Sequence, residues 1–466
     1  VIALTLLEIA QVTGGEVVGD PRAGATVVDA AVVTDARECG PGSLYVARRG
    51  EHADGVDFVP QALERGAAAV LADRPVDALP CVVVADVQEA FAALARAVVQ
   101  RVPDVTVIGI TGSSGKTSTK DLLASVLAEL GPTVAPEASL NGEVGVPLTA
   151  LRIEPSTRYL VLEMGARGGG HIRYLTEIVR PDVSVVLNVG SAHLGEFGSV
   201  EGIAEAKSEI VQALEPQGLA VLNGDDSRVR AMRERTRGRV VLVGRSADCA
   251  VRADEVTLDD QARASFVLVT PEGSAPVRLA LFGEHHVANA LAVAAVAREL
   301  GMPVDAIAAA LGRGRAASRW RMEVTDRPDG VRVVNDAYNA NPDSMRAALK
   351  ALVAMAAGRR TWAVLGEMLE LGPDSLTAHD EIGRLAVRLN VSRLVAVGPG
   401  ARPIHTGAVH EGSWGEESVH VPDVEAAYTL LREQLQPGDV VLLKSSRDSG
   451  LRYLGDRLAA DGQASA

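Results

Sequence analysis

The segment TGSSGKTSTK, residues 111–120, follows the apolar run VTVIGI and precedes DLLASVLAEL, whose apolar residues fall at helical spacing. A strand, a glycine-rich turn, Lys-Thr and a helix form the arrangement in which backbone N–H groups and a helix N-terminus bind phosphate oxygens. Gly112, Ser113, Ser114, Gly115 and Ser118 would form the cradle. Lys116 would reach the outer phosphates, and the Thr117 hydroxyl would ligate Mg2+. The usual spacing of such loops places a glycine where this chain has Ile110. The loop therefore points to a nucleotide and leaves the reaction open between a switch, a pump and a bond-forming enzyme.

Further polar residues follow apolar strands. Glu163 closes RYLVLE and is followed by MGARGGG; an acid there is either a second Mg2+ ligand or the cap of the next turn. His193, in GSAHLGEFGS after VSVVLNV, is either a structural histidine or a ligand at the same sheet edge. Lys207 lies in EGIAEAKSEIV among three glutamates. It is either a solvated, salt-bridged lysine or one carbamylated by CO2, which would turn a cation into a metal-binding carboxylate. GEHHVANA puts His285 and Asn289 four apart on one helical face, and RWRMEV carries Arg319 and Arg321. VRVVNDAYNANPDSM then gathers Asn335, Asp336, Asn339 and Asn341 ahead of Pro342. That density of short polar side chains fits either an Asx-turn with a helix cap or the recognition of a hydroxyl- or amide-bearing substrate.

Alternating strands and helices must position these groups. From about residue 105 the runs VTVIGI, YLVLEMG, VSVVLNV and LAVLN alternate with helical patterns, as do WAVLGE, RLVAVG and DVVLLK from about 316. Both blocks predict parallel sheets covered by helices. Residues 251–283 alternate apolar and polar positions and predict an antiparallel appendage to the central block. The first 85 residues alternate short strands and turns with one helix-like stretch, FVPQALERGAAAVLA, and AFAALARAVVQRV reads as a connecting helix. At 466 residues the chain is long enough for two to four domains. The boundaries are placed at 1–85, 86–315 and 316–466.

A net charge of −14 argues against nucleic acid or an anionic membrane as partner. No window approaches the roughly 18 apolar residues of a membrane span, and the first residues lack a basic leader, so an expectation of the cytoplasm without integral membrane contact follows. Cys39, Cys81 and Cys249 show no metal-like spacing and are expected to be buried free thiols. Of 46 basic residues only Lys116, Lys120, Lys207, Lys350 and Lys444 are lysine. In so arginine-biased a chain, each marks a position where a compact charge or a neutral amine could be needed.

Taken together, these runs resemble the Mur ligase superfamily of ATP-dependent amide-forming enzymes. TGSSGKTSTK, NGEVGVPLTAL, LEMGARGGGHI, AHLGEFGS, AKSEI, GEHHVANALAVAA, RWRMEV, NDAYNANPDSM and LGEMLELG occur in the family's order and cover nearly the whole chain. The family's loop is written TG-x-x-GKT, which accounts for Ile110. NDAYNANP and EMLELG resemble the branch that joins D-alanyl-D-alanine to the terminal carboxylate of a UDP-N-acetylmuramoyl-tripeptide in peptidoglycan precursor synthesis.

The resemblance implies an α/β, three-domain architecture. An N-terminal UDP-sugar domain would precede a central P-loop ATPase domain with its small antiparallel appendage, and a Rossmann-like C-terminal domain would close over it. It implies ATP and two Mg2+ ions, one held by Thr117 and Glu163, the other by His193 and a Lys207 carbamate formed from CO2. Catalytic roles would fall to Lys116, His193 and Lys207. Asn289, Arg321 and Asp336 would contact ATP, the last two after domain closure. Asp35, Arg37, Asn141, Asn339 and Asn341 would contact the UDP-N-acetylmuramoyl peptide or the dipeptide, in a monomer. The γ-phosphoryl would activate the acceptor carboxylate as an acyl phosphate, which the dipeptide amine then attacks. Where the family shows DSR and DGH, this chain has Asp35-Ala36-Arg37 and Asp54-Gly55-Val56, and it has Ser139, Asn141 and Gly142 in a run usually richer in asparagine. Its KGS-like run reads Lys444-Ser445-Ser446. These departures admit a paralogue with another acceptor; a P-loop switch or transport ATPase without an acceptor is the alternative of another class.

Overall fold

The computed structural model describes residues 2–190 and 194–461. Three sheets follow one another along the chain. In the first, strands run in the order Glu16–Val18, Cys81–Val83, Ala69–Ala72, Leu44–Val46, Val32–Val33; only the first pairing is antiparallel. A helix over Leu6–Thr13 packs beside it, started by a capping box between Thr5 and Glu8 and stopped by Gly14 at φ +67°. The stretch predicted as one helix, FVPQALERGAAAVLA, divides. Val59–Glu64 is helical, Gly66 turns the chain at φ +93°, and Ala69–Ala72 is an interior strand buried on both faces. An apolar run covered on both sides has no alternation, so its spacing could not separate strand from helix.

The expected connecting helix spans Val87–Gln100, capped by Asp86. Its apolar face joins the first unit's Leu6 and Ile9 to Leu160 and Ile210 of the middle unit in one core. The middle sheet has nine strands, in the order Gly273–Phe282, Arg263–Thr270, Val251–Leu258, Arg239–Gly244, Leu219–Asn223, Val183–Val186, Thr106–Thr111, Tyr159–Glu163, Thr133–Val134. The predicted appendage is the edge of this sheet rather than a separate layer. Val251–Leu258 pairs in parallel with Arg239–Gly244, and two antiparallel strands extend it outward. The strand Thr106–Thr111 lies between Tyr159–Glu163 and Val183–Val186 with Glu163 opposite Ile110, so their carboxyl ends meet.

The third sheet is ordered Glu323–Asp326, Arg332–Asn335, Val440–Lys444, Thr361–Leu365, Arg393–Val397, Ser418–Val421, parallel except at its first edge. Separate cores cover its two faces, the expected Rossmann-like arrangement. Asn335 and Lys444 end neighbouring strands here, at the edge turned towards the middle unit. Cys39, Cys81 and Cys249 are free and buried. Among the described residues no helix is long and apolar enough to cross a membrane.

Candidate functional site

The helix Lys116–Leu127 begins at Gly115, whose φ of +82° turns the chain sharply out of the preceding strand. A Cβ at Gly115 would lie 2.8 Å from Asn289 Oδ1, so glycine is needed for clearance as well as for conformation. The loop is anchored from the next strand end: Ser114 N–H donates to Asn188 Oδ1 at 2.9 Å, and Gly190 N–H donates to Ser113 Oγ at 2.9 Å. Among the described residues, no acceptor takes the backbone N–H groups of Lys116, Thr117 and Ser118. They remain available to an anion at the positive end of the helix. Lys116 Nζ folds back 2.7 Å from the Gly112 carbonyl.

Glu163 reaches the same point from the neighbouring strand. Its Oε2 accepts from Thr117 Oγ1 at 2.9 Å, and its Oε1 accepts from Asn141 Nδ2 at 2.7 Å and Ser139 Oγ at 3.1 Å. Ser139 Oγ is also 2.9 Å from Thr117 Oγ1. Two hydroxyls and one carboxylate thus converge, a hard oxygen set suited to Mg2+. Among the described residues no three His, Cys, Asp or Glu side chains gather as an all-protein metal cage. The donors fit an ion that takes its remaining ligands from substrate phosphates and water.

The solvated alternative for Lys207 is corrected by its position. On the helix Val200–Gln212 it is 4% exposed and lines the cavity, while the glutamates around it point elsewhere. Glu209 accepts from the Gly170 and Arg173 amides, Glu205 pairs with Arg235, and Glu201 pairs with Arg228. Burial, and secondly the charge of Lys116, hold the Lys207 amine well below the ordinary lysine range. Burial also lowers Lys116, against the attraction of Glu163.

The opposite wall belongs to the third sheet. Arg321 Nη2 donates to Thr117 Oγ1 at 3.1 Å, and its guanidinium lies 4.4 Å from the centre of the Tyr338 ring. Trp320 and Met322, on either side of Arg321, both have positive φ (+59° and +52°), backbone strain at the residue that bridges the two units. Asp336 accepts from Met322 N–H at 3.0 Å and binds Lys444 Nζ at 2.6 Å; Lys444 also donates to the Asn339 carbonyl at 3.0 Å. Asn341 caps the helix Pro342–Ala356 through Ser344 N–H and donates to the Ser113 carbonyl at 3.3 Å. Here the Asx-turn and cap reading holds, and Asp336, Asn339 and Asn341 of the same segment also line the cavity.

These walls enclose a cavity of about 690 Å3, the size of a nucleotide or drug-like ligand. Of the residues singled out in the sequence, Ser113, Ser114, Gly115, Lys116, Thr117, Ser118, Asn141, Glu163, Lys207, Asn289, Arg321, Asp336, Asn339 and Asn341 line it, with Gly112 directly behind. Asp35 and Arg37 do not: they form a two-point ion pair on a turn of the first unit, with Arg37 largely exposed. His193 falls outside the described residues. Burial lowers the pKa of both His285 and His286, which also line the cavity.

Asn188 and Arg447 stand out in no motif, Ser139 enters only as a departure from the family pattern and Tyr338 only within NDAYNANP, whereas the scarcity of lysine points here. Lys116, Lys207 and Lys444 line the cavity. Lys120, one turn beyond Lys116, is buried against the Pro136 carbonyl, and Lys350 alone is exposed. Of the departures in the first unit, Ala36 is buried, Asp54 is held by Arg74 at 2.9 Å and by Val56 N–H, and a side chain at Gly142 would meet open space.

Three family models match the chain. Those described as the Mur ligase family catalytic domain, the Mur ligase middle domain, and the Mur ligase glutamate ligase domain match residues 30–112, 110–297 and 320–447 respectively. The UDP-N-acetylmuramoyl-tripeptide–D-alanyl-D-alanine ligase of Mycobacterium tuberculosis is 49% identical over 99% of this chain and 98% of its own length. Among solved structures, MurF from Acinetobacter baumannii superposes with a TM-score of 0.88 at 32% identity, covering 98% of this chain and 99% of that one. MurF ligase from Thermotoga maritima in complex with ADP gives 0.81 at 29% identity over 94% and 99%.

Proposed function

Since the chain belongs to the Mur ligase family, we propose a division of labour among its residues for the family's reaction. The protein is an ATP-dependent ligase that joins D-alanyl-D-alanine to the peptide carboxylate of UDP-N-acetylmuramoyl-tripeptide, a step of peptidoglycan precursor synthesis. The observation that carries the residue assignment is the meeting at Thr117 Oγ1 of the P-loop, Glu163 and Arg321 from the third unit. ATP phosphates in the loop then lie where both sheets deliver their carboxyl-end side chains.

In this reading residues 1–85 carry the UDP-sugar, 86–315 the ATP and 316–466 the closing wall, within a cytoplasmic monomer. A carboxylate is a poor electrophile, and the triphosphate repels it. The free N–H groups of the loop, Lys116 and Arg321 offset that repulsion and stabilise the γ-phosphoryl group as it moves to the carboxylate oxygen. Thr117, Ser139 and Glu163 would hold a Mg2+ ion, which supplies further charge neutralisation on the phosphates. Asn289 and Asp336 contact the nucleotide from opposite walls. Asn141 holds the Glu163 carboxylate in place, and Asn339 and Asn341 belong to the wall that meets the incoming dipeptide. With the third unit closed over the loop, water is kept from the acyl phosphate until the amine attacks its carbonyl carbon and phosphate leaves.

Lys207 is assigned the carbamate and, with His193, a second Mg2+ ion. Burial eases loss of the ammonium proton, and the neutral amine can attack CO2: the N–C bond forms, one further proton is released, and the product carries one negative charge beside Lys116. Carbon-13 NMR with labelled bicarbonate is expected to show a carbamate resonance that disappears in Lys207→Met. An active wild-type enzyme with no such resonance at saturating bicarbonate would remove this assignment.

The test of the reaction is phosphate release from ATP with each carbonyl or amine substrate omitted in turn. Release is expected to require UDP-N-acetylmuramoyl-tripeptide, and ligated product to require D-alanyl-D-alanine as well. ATP hydrolysis at the same rate without either would overturn the ligase reading.

A further inference from the structure

We infer that Arg447 is the specificity residue for the incoming dipeptide, binding its C-terminal carboxylate; this rests on the ligase reading above. An amine substrate attacking from the third unit's wall must bring a carboxylate into a cavity already crowded with phosphate charge. A cation on that wall, free of other duties, is the chemical requirement. Three cationic side chains line the cavity from the third unit: Arg321, Lys444 and Arg447. Arg321 is committed to Thr117, and Lys444 is committed to Asp336 and the Asn339 carbonyl. Arg447 is exposed, and among the described residues it forms no ion pair, not even with its neighbour Asp448.

Its place suits the task. Arg447 opens a short turn directly after the strand that ends in Lys444, so a rigid strand end sets its position. Its guanidinium lies 6.0 Å from the centre of the Tyr338 ring, the ring that Arg321 approaches to 4.4 Å on its way to Thr117. An extended dipeptide spans at most about 7 Å. With its carboxylate on Arg447, its amine end can project across Tyr338 towards the phosphate loop. The planar fork of arginine binds a carboxylate by two parallel N–H bonds, which fixes direction as well as charge. Arg167, a cation on the middle unit's wall whose charge acts on Glu143, stands in the loop that follows Glu163 and supplies the comparison from the opposite wall.

The experiment crosses the residue with the substrate group it is said to bind. Wild type, Arg447→Met, Arg447→Lys and Arg167→Met are assayed with D-alanyl-D-alanine and with its C-terminal amide. Wild type is expected to prefer the acid by about 10- to 100-fold in kcat/KM, the range of a charge-assisted hydrogen bond. In Arg447→Met the KM for the acid rises by a similar factor, the preference over the amide collapses, and the KM values for ATP and the UDP-peptide stay put. Arg447→Lys recovers part of the preference, while Arg167→Met keeps it. Full preference in Arg447→Met, or its collapse in Arg167→Met instead, overturns the assignment while leaving the ligase reading intact. Wild type that makes no product with either dipeptide removes both.

Discussion

The buried pair Lys444–Asp336 organises the wall that closes the site, and its removal makes a quantitative test. Lys444 Nζ lies 2.6 Å from Asp336 Oδ2, 3.0 Å from the Asn339 carbonyl and 3.3 Å from that of Asp336; the two side chains are 3% and 13% exposed. Lys444→Met keeps the apolar stem and deletes the charge, leaving a shielded carboxylate with Met322 N–H as its remaining donor. Breaking a buried pair from one side costs about 3–5 kcal/mol. In a folding unit of 150–250 residues each kcal/mol lowers Tm by roughly 2–4 °C, so the third unit should melt about 6–20 °C earlier. Asp336→Asn should cost less, because burial already pushes the Lys444 pKa down and the amine can shed its proton. The double variant should recover part of the loss, with a coupling above about 2 kcal/mol. Denaturant unfolding of the four proteins supplies the cycle. A Lys444→Met protein within about 1 kcal/mol of wild type, or strictly additive losses, would refute the claim that this pair holds the wall.

Other consequences are as direct. Gly115→Ala forces a side chain into φ +82° and to 2.8 Å from Asn289 Oδ1; it should cost about 1–3 kcal/mol and raise the KM for ATP, and an unchanged KM would show the cradle is not the nucleotide site. Glu163→Gln should cut turnover by at least about 100-fold, the scale of losing a preorganised electrostatic group. Ser139→Ala, with Asn141 still holding Glu163 at 2.7 Å, should chiefly shift the Mg2+ titration upward; the reverse ranking would displace the metal assignment. Asp259 bears on acid stability: burial raises its pKa, but the Arg263 amide and the Arg278 and Arg263 side chains outweigh that and lower it from 3.8 to about 2. Its contribution is present in full above pH 3.8 and is lost as the pH falls through about 2, because the unfolded chain binds the proton first. Asp259→Asn should flatten the acid limb of the stability profile in that window, and an identical limb would show the network contributes nothing.

Much of this was legible before any coordinates. The P-loop strand and helix, the two parallel sheets and the connecting helix all follow from short apolar runs, bounded by turn residues, that alternate with stretches of helical spacing. Ile110 is a buried strand residue between two other strands, which is why no glycine is needed there. Ala69–Ala72 escaped detection because its apolar run, without alternation, follows the helix Val59–Glu64 with only the turn at Gly66 between them. The antiparallel character of residues 251–283 was readable from alternation, whereas their membership of the main sheet depends on the parallel pairing of Val251 with Val243, a choice of partner strand that alternation does not contain.

The site divides the same way. Residue type and order along the chain determined the chemistry: a phosphate loop, an acid at the next strand end, scarce lysines and an Asx-rich turn. Tertiary structure decided which alternatives hold. Lys207 could have been a solvated helix lysine, and only the turning of its helix, with its glutamates bound to Arg228, Arg235 and the Gly170 and Arg173 amides, buries the amine beside Lys116. The 3.1 Å contact between Arg321 and Thr117 joins residues 204 positions apart. Desolvation and proximity are properties of the folded arrangement, so the same lysine and arginine read identically in the chain whether they face water or the phosphate loop.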